Sequence, residues 1–384
     1  MQQALAWLKE QSKAMEIFLS ELVEISSHTP NLEGVNEVAS TYLSGIARLC
    51  RGQIVGELLD GGKFGQHVVA RTAAAGPHLL LVGHHDTVFP RTSFAGFRQE
   101  GAHLFGPGVF DMKGGLTVIA YALAALAEAR MLANIPVRLV SVSDEEIGSP
   151  DGRHVVLEHS KGATSALVFE SGRSGDLIVT QRKGTGGLTV VAHGKAAHAG
   201  NAHEAGANAI WALARFIDRA QALTDYDRGI TINVGRIEGG IGKNTVPERA
   251  EAKVDFRFLT NDDGDSVVVA LTRAAEEAAK TVAGTRIDVS GGILRRPLER
   301  TAASAELAIT YGAAQTASGL GAGEATLAGG GSDANTCAEA GVPAIDGLGP
   351  RGFGYHTTDE RIDRDSLIPK AEALVRFLAT RAVR

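Results

Sequence analysis

The sequence predicts an α/β protein in which a mixed, mostly parallel sheet has helices on both faces and carries an inserted ferredoxin-like βαββαβ domain. Two observations predict this fold. In the first half of the chain, apolar strand-like segments alternate with helical ones, which is typical of a mostly parallel sheet covered by helices. From about residue 187 the order becomes strand, helix, strand, strand, helix, strand, which is the ferredoxin-like unit.

The chain starts with an amphipathic segment and continues with four apolar strands. Apolar residues of the first segment recur at spacings of three, four and seven, which predicts one surface helix. They are Leu5, Leu8, Met15, Phe18, Leu19 and Leu22. The strands are predicted at residues 67–71, 78–83, 137–143 and 166–169, with a long helix of small residues at about 114–130.

The inserted domain is predicted to have strands at 187–193, 230–237, 251–258 and 285–290 and helices at 205–220 and 265–281. Alternation is clearest in the third strand, where Val254, Phe256 and Phe258 point to one side. Two later helices, at 302–318 and 365–382, belong again to the larger domain. We therefore predict a discontinuous larger domain, 1–182 and 293–384, and an inserted domain, 183–292.

Composition and charge exclude several classes of protein. Lys and Arg total 38 against 44 Asp and Glu, so there is no basic surplus for binding nucleic acid. Cys50 and Cys337 fit neither a disulfide framework nor a thiolate zinc site. No apolar run reaches the ~18 residues that a membrane span needs. Because the N-terminus does not resemble a signal peptide, we expect a cytoplasmic protein.

Two of the predicted strands end in side chains that can bind metal. His84 and Asp86 follow the apolar strand at 78–83 and, two residues apart, point to the same side of an extended chain. The strand at 137–143 ends in Asp144, Glu145 and Glu146. Three carboxylates at a buried strand end repel one another unless a cation or protons neutralise them. Functional residues of open α/β sheets collect at such carboxyl ends.

Three further candidates complete the pattern. Glu170 ends the fourth apolar strand, and His356 lies in the glycine-rich loop at 349–360. Asp111 lies among glycines at the start of the long helix, where it could also be an N-cap. A donor set of imidazoles and carboxylates without thiolate suits a catalytic zinc site.

The carboxylates also allow a division of roles. Two metals need a bridging carboxylate and would lower the pKa of a shared water, which would be the nucleophile. Glu145 would then be the general base, because adjacent residues can divide metal binding and proton transfer between them.

The motifs that carry these residues resemble the M20 family of zinc exopeptidases and amidohydrolases, most of all its glutamate carboxypeptidase branch, the carboxypeptidase G type. The motifs occur in order over nearly the whole chain. They are HxDT (84–87), GxxDMKGG (108–115), DEExGS (144–149), HAG (198–200), GGGSDA (329–334) and a late glycine-rich histidine motif (Gly352, Gly354, His356). This resemblance implies a zinc-exopeptidase-like catalytic domain with an inserted domain for dimerisation and lid closure.

The resemblance implies a role for each residue of the larger domain. Two zinc ions per subunit, or Co²⁺ or Mn²⁺ in their place, would be held by His84, Asp111, Glu146, Glu170 and His356. Of these, Asp111 would bridge both ions. Glu145 would be the base, and Asp86 would orient His84. A cis peptide is expected after the bridging aspartate, between Asp111 and Met112.

The resemblance also implies substrate contacts and a homodimer formed through the inserted domain. His198 would reach the partner's active site and stabilise the oxyanion. Asn244 matches a substrate-binding asparagine, and Arg296 matches an arginine that would bind a substrate carboxylate. Backbone amides also bind carboxylates, and Gly330 and Gly331 could supply them. Arg295 could take the place of Arg296 in this role.

The substrate is expected to be a small amide or peptide with a free carboxylate, and its identity stays open. A basic residue that glutamate-specific relatives use is not clearly matched, because Asp176 and Leu177 occupy that region. The alternatives are a deacylase of the acetylornithine or succinyl-diaminopimelate type, an aminoacylase or a dipeptidase. A metal-binding protein without catalysis is disfavoured, because Glu145 and all five candidate ligands are present. A nucleotide-binding protein is disfavoured because no phosphate-binding glycine motif follows the first strand.

Overall fold

The computed structural model describes residues 1–381, which form two compact units. Unit 1 comprises Met1–Gln181, Arg300–Ala328 and the described residues from Ser332 onward. Unit 2 comprises Arg182–Glu299 and Gly329–Gly331. Residues 382–384, which end the predicted larger domain and include the end of its last predicted helix, lie outside the described range.

The elements of unit 1 that precede unit 2 are, in chain order, α1 (Gln2–Lys9), α2 (Ser12–Glu24), α3 (Leu32–Leu49), β1 (Ile54–Asp60), β2 (Gln66–Thr72), β3 (His78–His84), β4 (Arg98–Glu100), β5 (His103–Phe105), α4 (Lys113–Glu128), β6 (Val137–Val142), α5 (Gly152–Ser160) and β7 (Ala163–Val168). Unit 2 contains β8 (Gly184–His193), β9 (Ala197–His198), α6 (Ala209–Gln221), β10 (Thr231–Gly239), β11 (Thr245–Val246), β12 (Arg249–Phe258), α7 (Asn261–Lys280) and β13 (Arg286–Arg295). Unit 1 then resumes with α8 (Ala302–Thr316), α9 (Asp333–Glu339), β14 (Ala344–Ile345), β15 (Gly352–Phe353), β16 (Arg361–Asp363) and α10 (Leu367–Ala379).

The main sheet of unit 1 is mixed and mostly parallel, as predicted. Its strand order is β1-β2-β6-β3-β7-β14. The pairs β6–β3, β3–β7 and β7–β14 are parallel, whereas β1–β2 and β2–β6 are antiparallel. Strand β1 was not predicted from the sequence, because this edge strand is mostly exposed and lacks a continuous apolar run. A small sheet of order β15-β16-β5-β4 lies in the same unit.

Helix α4 is the centre of the hydrophobic core of unit 1. Every residue from Lys113 to Ala127 is buried, because α4 packs against β3 and against α1, α2, α3 and α10. Its many alanines and glycines fit this position, since small side chains let neighbouring elements approach closely. Helices α5 and α9 pack against β3, β6 and β7. Among the described residues, no helix is long and apolar enough to cross a membrane.

The prediction of one N-terminal helix was wrong, because the segment forms two helices, α1 and α2. The chain turns at Glu10 and Gln11, and the side-chain amide of Gln11 donates to the Trp7 carbonyl. The six apolar residues of the predicted stripe are nevertheless all buried. The turn therefore lets α1 and α2 run in different directions and pack their apolar faces separately against α4, which one straight helix could not do.

Unit 2 is built on the predicted ferredoxin-like order. Its sheet has the order β10-β12-β8-β13, with all neighbours antiparallel, and α6 and α7 pack against it. Val254, Phe256 and Phe258 of β12 are buried as their alternation predicts. Helix α6 begins at Ala209, later than predicted, because the Asn208 side chain accepts from the Trp211 N–H and caps the helix there.

Candidate metal centre and active site

Three adjacent parallel strands bring most of the candidate residues of unit 1 to one edge of the sheet. Strand β3 lies between β6 and β7 and ends at His84. Strand β6 is followed by a short 3₁₀ turn that contains Glu145 and Glu146. Glu170 lies two residues beyond the end of β7. Because neighbouring parallel strands end at the same edge, these side chains meet there.

The side chains form two groups of potential metal ligands. In the first group, His84 Nε2 lies 3.2 Å from Asp111 Oδ1 and 3.7 Å from Glu170 Oε1. In the second group, His356 Nε2 lies 3.1 Å from Glu146 Oε2 and 3.4 Å from Asp111 Oδ2. Within each group, the ligand atoms lie within 4.8 Å of one another. The five residues singled out from the sequence as metal ligands are thus brought together.

Asp111 belongs to both groups and directs a different carboxylate oxygen to each. It precedes α4 and is joined to Met112 by a cis peptide bond, as the family resemblance implied. The possibility of an N-cap is excluded, since Met112 occupies the N-cap position and no side chain caps this helix. The carboxylate of Asp111 therefore contacts the other candidate ligands and does not cap the helix.

The carboxylates of the cluster carry negative charge that nearby positive charge must balance. Burial alone would lower the pKa of His84, but Glu170 and Asp111 raise it well above its usual value. Burial raises the pKa of Glu170 to about 7. Hydrogen bonds to Asp111 and Glu146 raise the pKa of His356 to about 10. Since three carboxylates crowd two imidazoles, either protons or metal cations must neutralise them, and cations would displace the protons.

The donor set fits divalent metal ions. Within the described part of the chain, no group donates a hydrogen bond to Glu170 Oε1, although this atom is buried. A buried carboxylate oxygen without a donor is costly unless a cation compensates it. Imidazole nitrogens and carboxylate oxygens without thiolates suit catalytic zinc, as well as other first-row metals.

Asp86 acts on both sides of the cluster. His84 Nδ1 lies 3.1 Å from the Asp86 carbonyl oxygen and 3.3 Å from Asp86 Oδ1, so Nε2 is the nitrogen left for a metal. The Asp86 carboxylate also accepts the backbone N–H groups of Glu145 and Glu146, each at 3.2 Å. The sequence indicated the first contact through the HxD spacing. Nothing in it indicated the second, which connects strands β3 and β6.

We expect the substitution Asp86→Asn to weaken metal binding by about 10–100-fold, the usual effect of losing an outer partner of a metal ligand. The amide N–H of the asparagine would face groups that now donate hydrogen bonds to the Asp86 carboxylate, such as the N–H groups of Glu145 and Glu146. Zinc affinity of the chelator-treated protein, measured by competition with a coloured chelator, checks this. Asp60→Asn is a matched control, because Asp60 accepts the N–H of Gly62 at the protein surface. Equal affinities for both variants would contradict the orienting role of Asp86.

Two neighbours of these residues are structural. Asp144 accepts the N–H groups of Asp151 at 2.7 Å and Gly152 at 3.1 Å, so it holds the start of α5. His85 is fully buried, its Nδ1 lies 2.9 Å from Ser141 Oγ, and burial lowers its pKa to about 3. Both therefore support the loops that follow β3 and β6.

In unit 2 the structure brings His198 and Asn244 together. His198 ends β9, which pairs with β11, and the Asn244 carbonyl accepts the N–H of Ala199 at 2.9 Å. His198 Nδ1 accepts the N–H groups of Gly200 and Asn201, both at 3.1 Å. These bonds place the proton of a neutral imidazole on Nε2, which makes that nitrogen a donor.

The remaining candidates for substrate binding also lie in unit 2. Arg296 forms an ion pair with Asp265 at 2.9 Å, and its neighbour Arg295 is 6% exposed. Gly330 and Gly331, which the predicted boundaries assign to the larger domain, belong to unit 2. The Gly330 carbonyl accepts from the Arg182 guanidinium at 3.1 Å. A choice between Arg295 and Arg296 as a carboxylate partner therefore needs experiment.

Known proteins resemble this chain over nearly its full length. Carboxypeptidase G2 of Pseudomonas sp. (strain RS-16) is 30% identical over 361 residues, which cover 92% of this chain and 85% of that protein. Succinyl-diaminopimelate desuccinylase of Psychrobacter arcticus is 26% identical and covers 93% and 92%. Residues 180–283 match the family described as the M20 peptidase dimerisation domain.

Solved structures show the same fold. Aminopeptidase PepT from Bacillus cereus has a TM-score of 0.79 at 24% identity, with 97% of this chain and 99% of that chain covered. The M20 family metallo-carboxypeptidase Sso-CP2 from Sulfolobus solfataricus has a TM-score of 0.76 at 20% identity, covering 96% and 99%.

The fold, the ligand cluster and these relatives define a hydrolase of peptide or amide bonds. The chain belongs to the M20 family, as its motifs predicted.

Proposed function

We propose that this protein is a two-metal hydrolase of the glutamate carboxypeptidase type, which cleaves an amide bond to release a C-terminal or N-acylated amino acid. The observation that carries the proposal is the position of Asp111, whose two oxygens face two separate groups of ligands. His84 and Glu170 would complete one metal site, and Glu146 and His356 the other. Zinc is the proposed metal, and Co²⁺ or Mn²⁺ could replace it.

Glu145 is the proposed general base. Two bound ions would supply Lewis acidity toward the substrate carbonyl and would acidify the attacking water. Glu145 belongs to neither ligand group, although its neighbour Glu146 does. Its carboxylate would accept the proton of the water and return it to the leaving nitrogen, which needs a proton as the C–N bond breaks.

His198 is the proposed donor to the oxyanion of the tetrahedral intermediate. The two backbone N–H groups bonded to Nδ1 support this role, because they favour the tautomer with a proton on Nε2. They also hold the ring, so little rotamer entropy would be lost on binding. The match of residues 180–283 to the peptidase dimerisation domain supports a homodimer through unit 2, in which His198 would act in the partner's active site.

We expect His198→Ala to lower kcat by about 10²–10³-fold, the usual effect of losing one oxyanion donor. KM and zinc content should change little, since His198 lies outside both ligand groups. His203→Ala in the same loop is the control and should keep the wild-type kcat. If His198→Ala also kept that rate, His198 would be only a loop residue.

The proposed substrate has a free carboxylate, bound by Arg296, Asn244 and the amides of Gly330 and Gly331. Hydrolysis of a panel with zinc supplied would test the function. The panel contains an acyl-glutamate, an acyl-leucine, N-acetylornithine, succinyl-diaminopimelate and a dipeptide, each repeated with a chelator. Chelator-sensitive release of glutamate alone would support the carboxypeptidase type, whereas no turnover of any member with two metals bound would overturn the proposed substrate class.

The second candidate is an N-acyl-amino-acid deacylase. The 26% identity with succinyl-diaminopimelate desuccinylase over 93% of this chain favours it over a dipeptidase or a metal-binding protein without catalysis. The ligand cluster would be the same, and only the acyl group and the amino acid would differ. Release of diaminopimelate in the panel would therefore change the assigned substrate and leave the proposed mechanism unchanged. The cytoplasmic location stays a prediction.

A further inference from the structure

Glu360 is a fully buried carboxylate whose acceptor capacity is directed at one loop. Its Oε1 accepts the N–H groups of Phe110 and Asp111, both at 2.9 Å, and its Oε2 accepts the N–H of Gly108 at 3.0 Å. Three backbone N–H groups thus donate to the two oxygens of this one carboxyl group. The loop that presents Asp111 is therefore held by a side chain 249 residues away in sequence.

The same residue also anchors the loop of His356. Glu360 comes four residues after His356, and its N–H donates to the Thr357 carbonyl at 3.2 Å. Its carbonyl accepts the N–H of Gly106 at 3.4 Å, so backbone and side chain both join the two loops. Glu360 itself lies outside both groups of metal ligands.

We propose that Glu360 is a positioning residue that holds Asp111 and His356 in register and thereby sets the affinity of the cluster for divalent metal. The inference rests on the proposed two-metal function. Asp111 is shared by both groups, and His356 contributes to one of them. A displacement of the Asp111 loop would therefore weaken both sites, and a shift of the His356 loop would weaken the second site further.

The physical reason is preorganisation. A flexible loop would have to be ordered when the metal binds, and the free energy of ordering would be subtracted from the affinity. With Glu360 in place, the loop is ordered beforehand by bonds that need no metal. Outer partners of metal sites typically change metal affinity by about 10–100-fold when they are replaced.

The experiment compares zinc binding by the wild-type protein with binding by Glu360→Gln. The glutamine keeps the size of the side chain but turns an N–H donor toward the loop. Apoprotein is titrated with Zn²⁺ against a fluorescent chelator, without substrate. We expect two zinc ions per chain in both proteins, with about 10–100-fold weaker affinity in the variant. Catalysis by the variant should recover as zinc is raised.

Glu16→Gln is the matched control for the replacement of a buried glutamate by glutamine. Glu16 is 2% exposed and pairs with the side chains of Arg364 and Lys13 but not with the Asp111 loop. It should lower the melting temperature and leave zinc affinity unchanged. If Glu360→Gln does not fold, Glu360→Asp keeps the carboxyl group with a shorter reach and should weaken zinc binding to a smaller extent.

The outcomes separate the two proposals. Wild-type protein that binds no zinc would overturn the two-metal function and this inference with it. Wild-type protein that binds two zinc ions, with equal affinity in every folded Glu360 variant, would overturn only the positioning role. A Glu16→Gln control that loses affinity as much as Glu360→Gln would also overturn it, because general destabilisation would then explain both.

Discussion

Glu145→Ala is expected to lower kcat by about 10²–10⁴-fold or more, the contribution of a positioned general base. Zinc content should stay at the wild-type level, because the Glu145 side chain belongs to neither ligand group. The backbone N–H of residue 145 would still donate to Asp86 Oδ1, now at 3.2 Å, so the turn should keep its conformation. Single-turnover rates and metal analysis of the same sample check both parts.

Glu158→Ala is a suitable control for this prediction. Glu158 is an exposed acid on α5 whose partner is the surface residue Lys161 at 2.5 Å. Its removal changes the net charge equally but should leave kcat unchanged. A wild-type kcat in Glu145→Ala would show that the base is another residue. A loss of zinc together with kcat would instead make Glu145 a metal ligand.

Asp111→Ala is expected to remove both metals and reduce turnover to background. Its two oxygens lie 3.2 Å from His84 Nε2 and 3.4 Å from His356 Nε2, so one substitution takes a ligand from each group. The loss in affinity should exceed the ~10–100-fold that an outer partner costs. Metal content after gel filtration, together with zinc titration, measures it.

Glu170→Ala and His356→Ala provide the comparison for Asp111→Ala. Each removes a ligand from one group only, so each should retain one of the two metals more tightly than the other. A double loss in Asp111→Ala and single losses in the other two would support a bridging carboxylate. Two metals retained by Asp111→Ala would refute it.

The site could be predicted from sequence to the extent that its residues follow local patterns. His84 ends an apolar strand, Glu146 and Glu170 lie in the loops that follow two others, and parallel strands end at a common edge. A local pattern of this kind indicates which strand a residue follows. The fold class then predicts that the ends of these strands lie side by side. His356 follows no such strand; its glycine-rich loop was the only local signal, and the family motif supported it.

The contacts that hold the site together could not be predicted in this way. Glu360 is 252 residues from Gly108, and Asp86 is 59 residues from Glu145. Sequence periodicity indicates burial and secondary structure. It does not indicate which backbone N–H, far away in the chain, will donate a hydrogen bond to a given carboxylate. Such partners are chosen only when the chain has packed.

The sequence by itself determined the alternation of elements, the apolar faces and the identity of the candidate metal-binding side chains, because these depend on local periodicity and on side-chain chemistry. Only the tertiary structure decided that the N-terminal stripe breaks into α1 and α2 and that β1 and β2 run antiparallel at the sheet edge. It also decided that the oxygens of Asp111 face opposite groups. The physical reason is that these features depend on packing between segments far apart in the chain. Each segment is buried only when the segment it packs against is also in place.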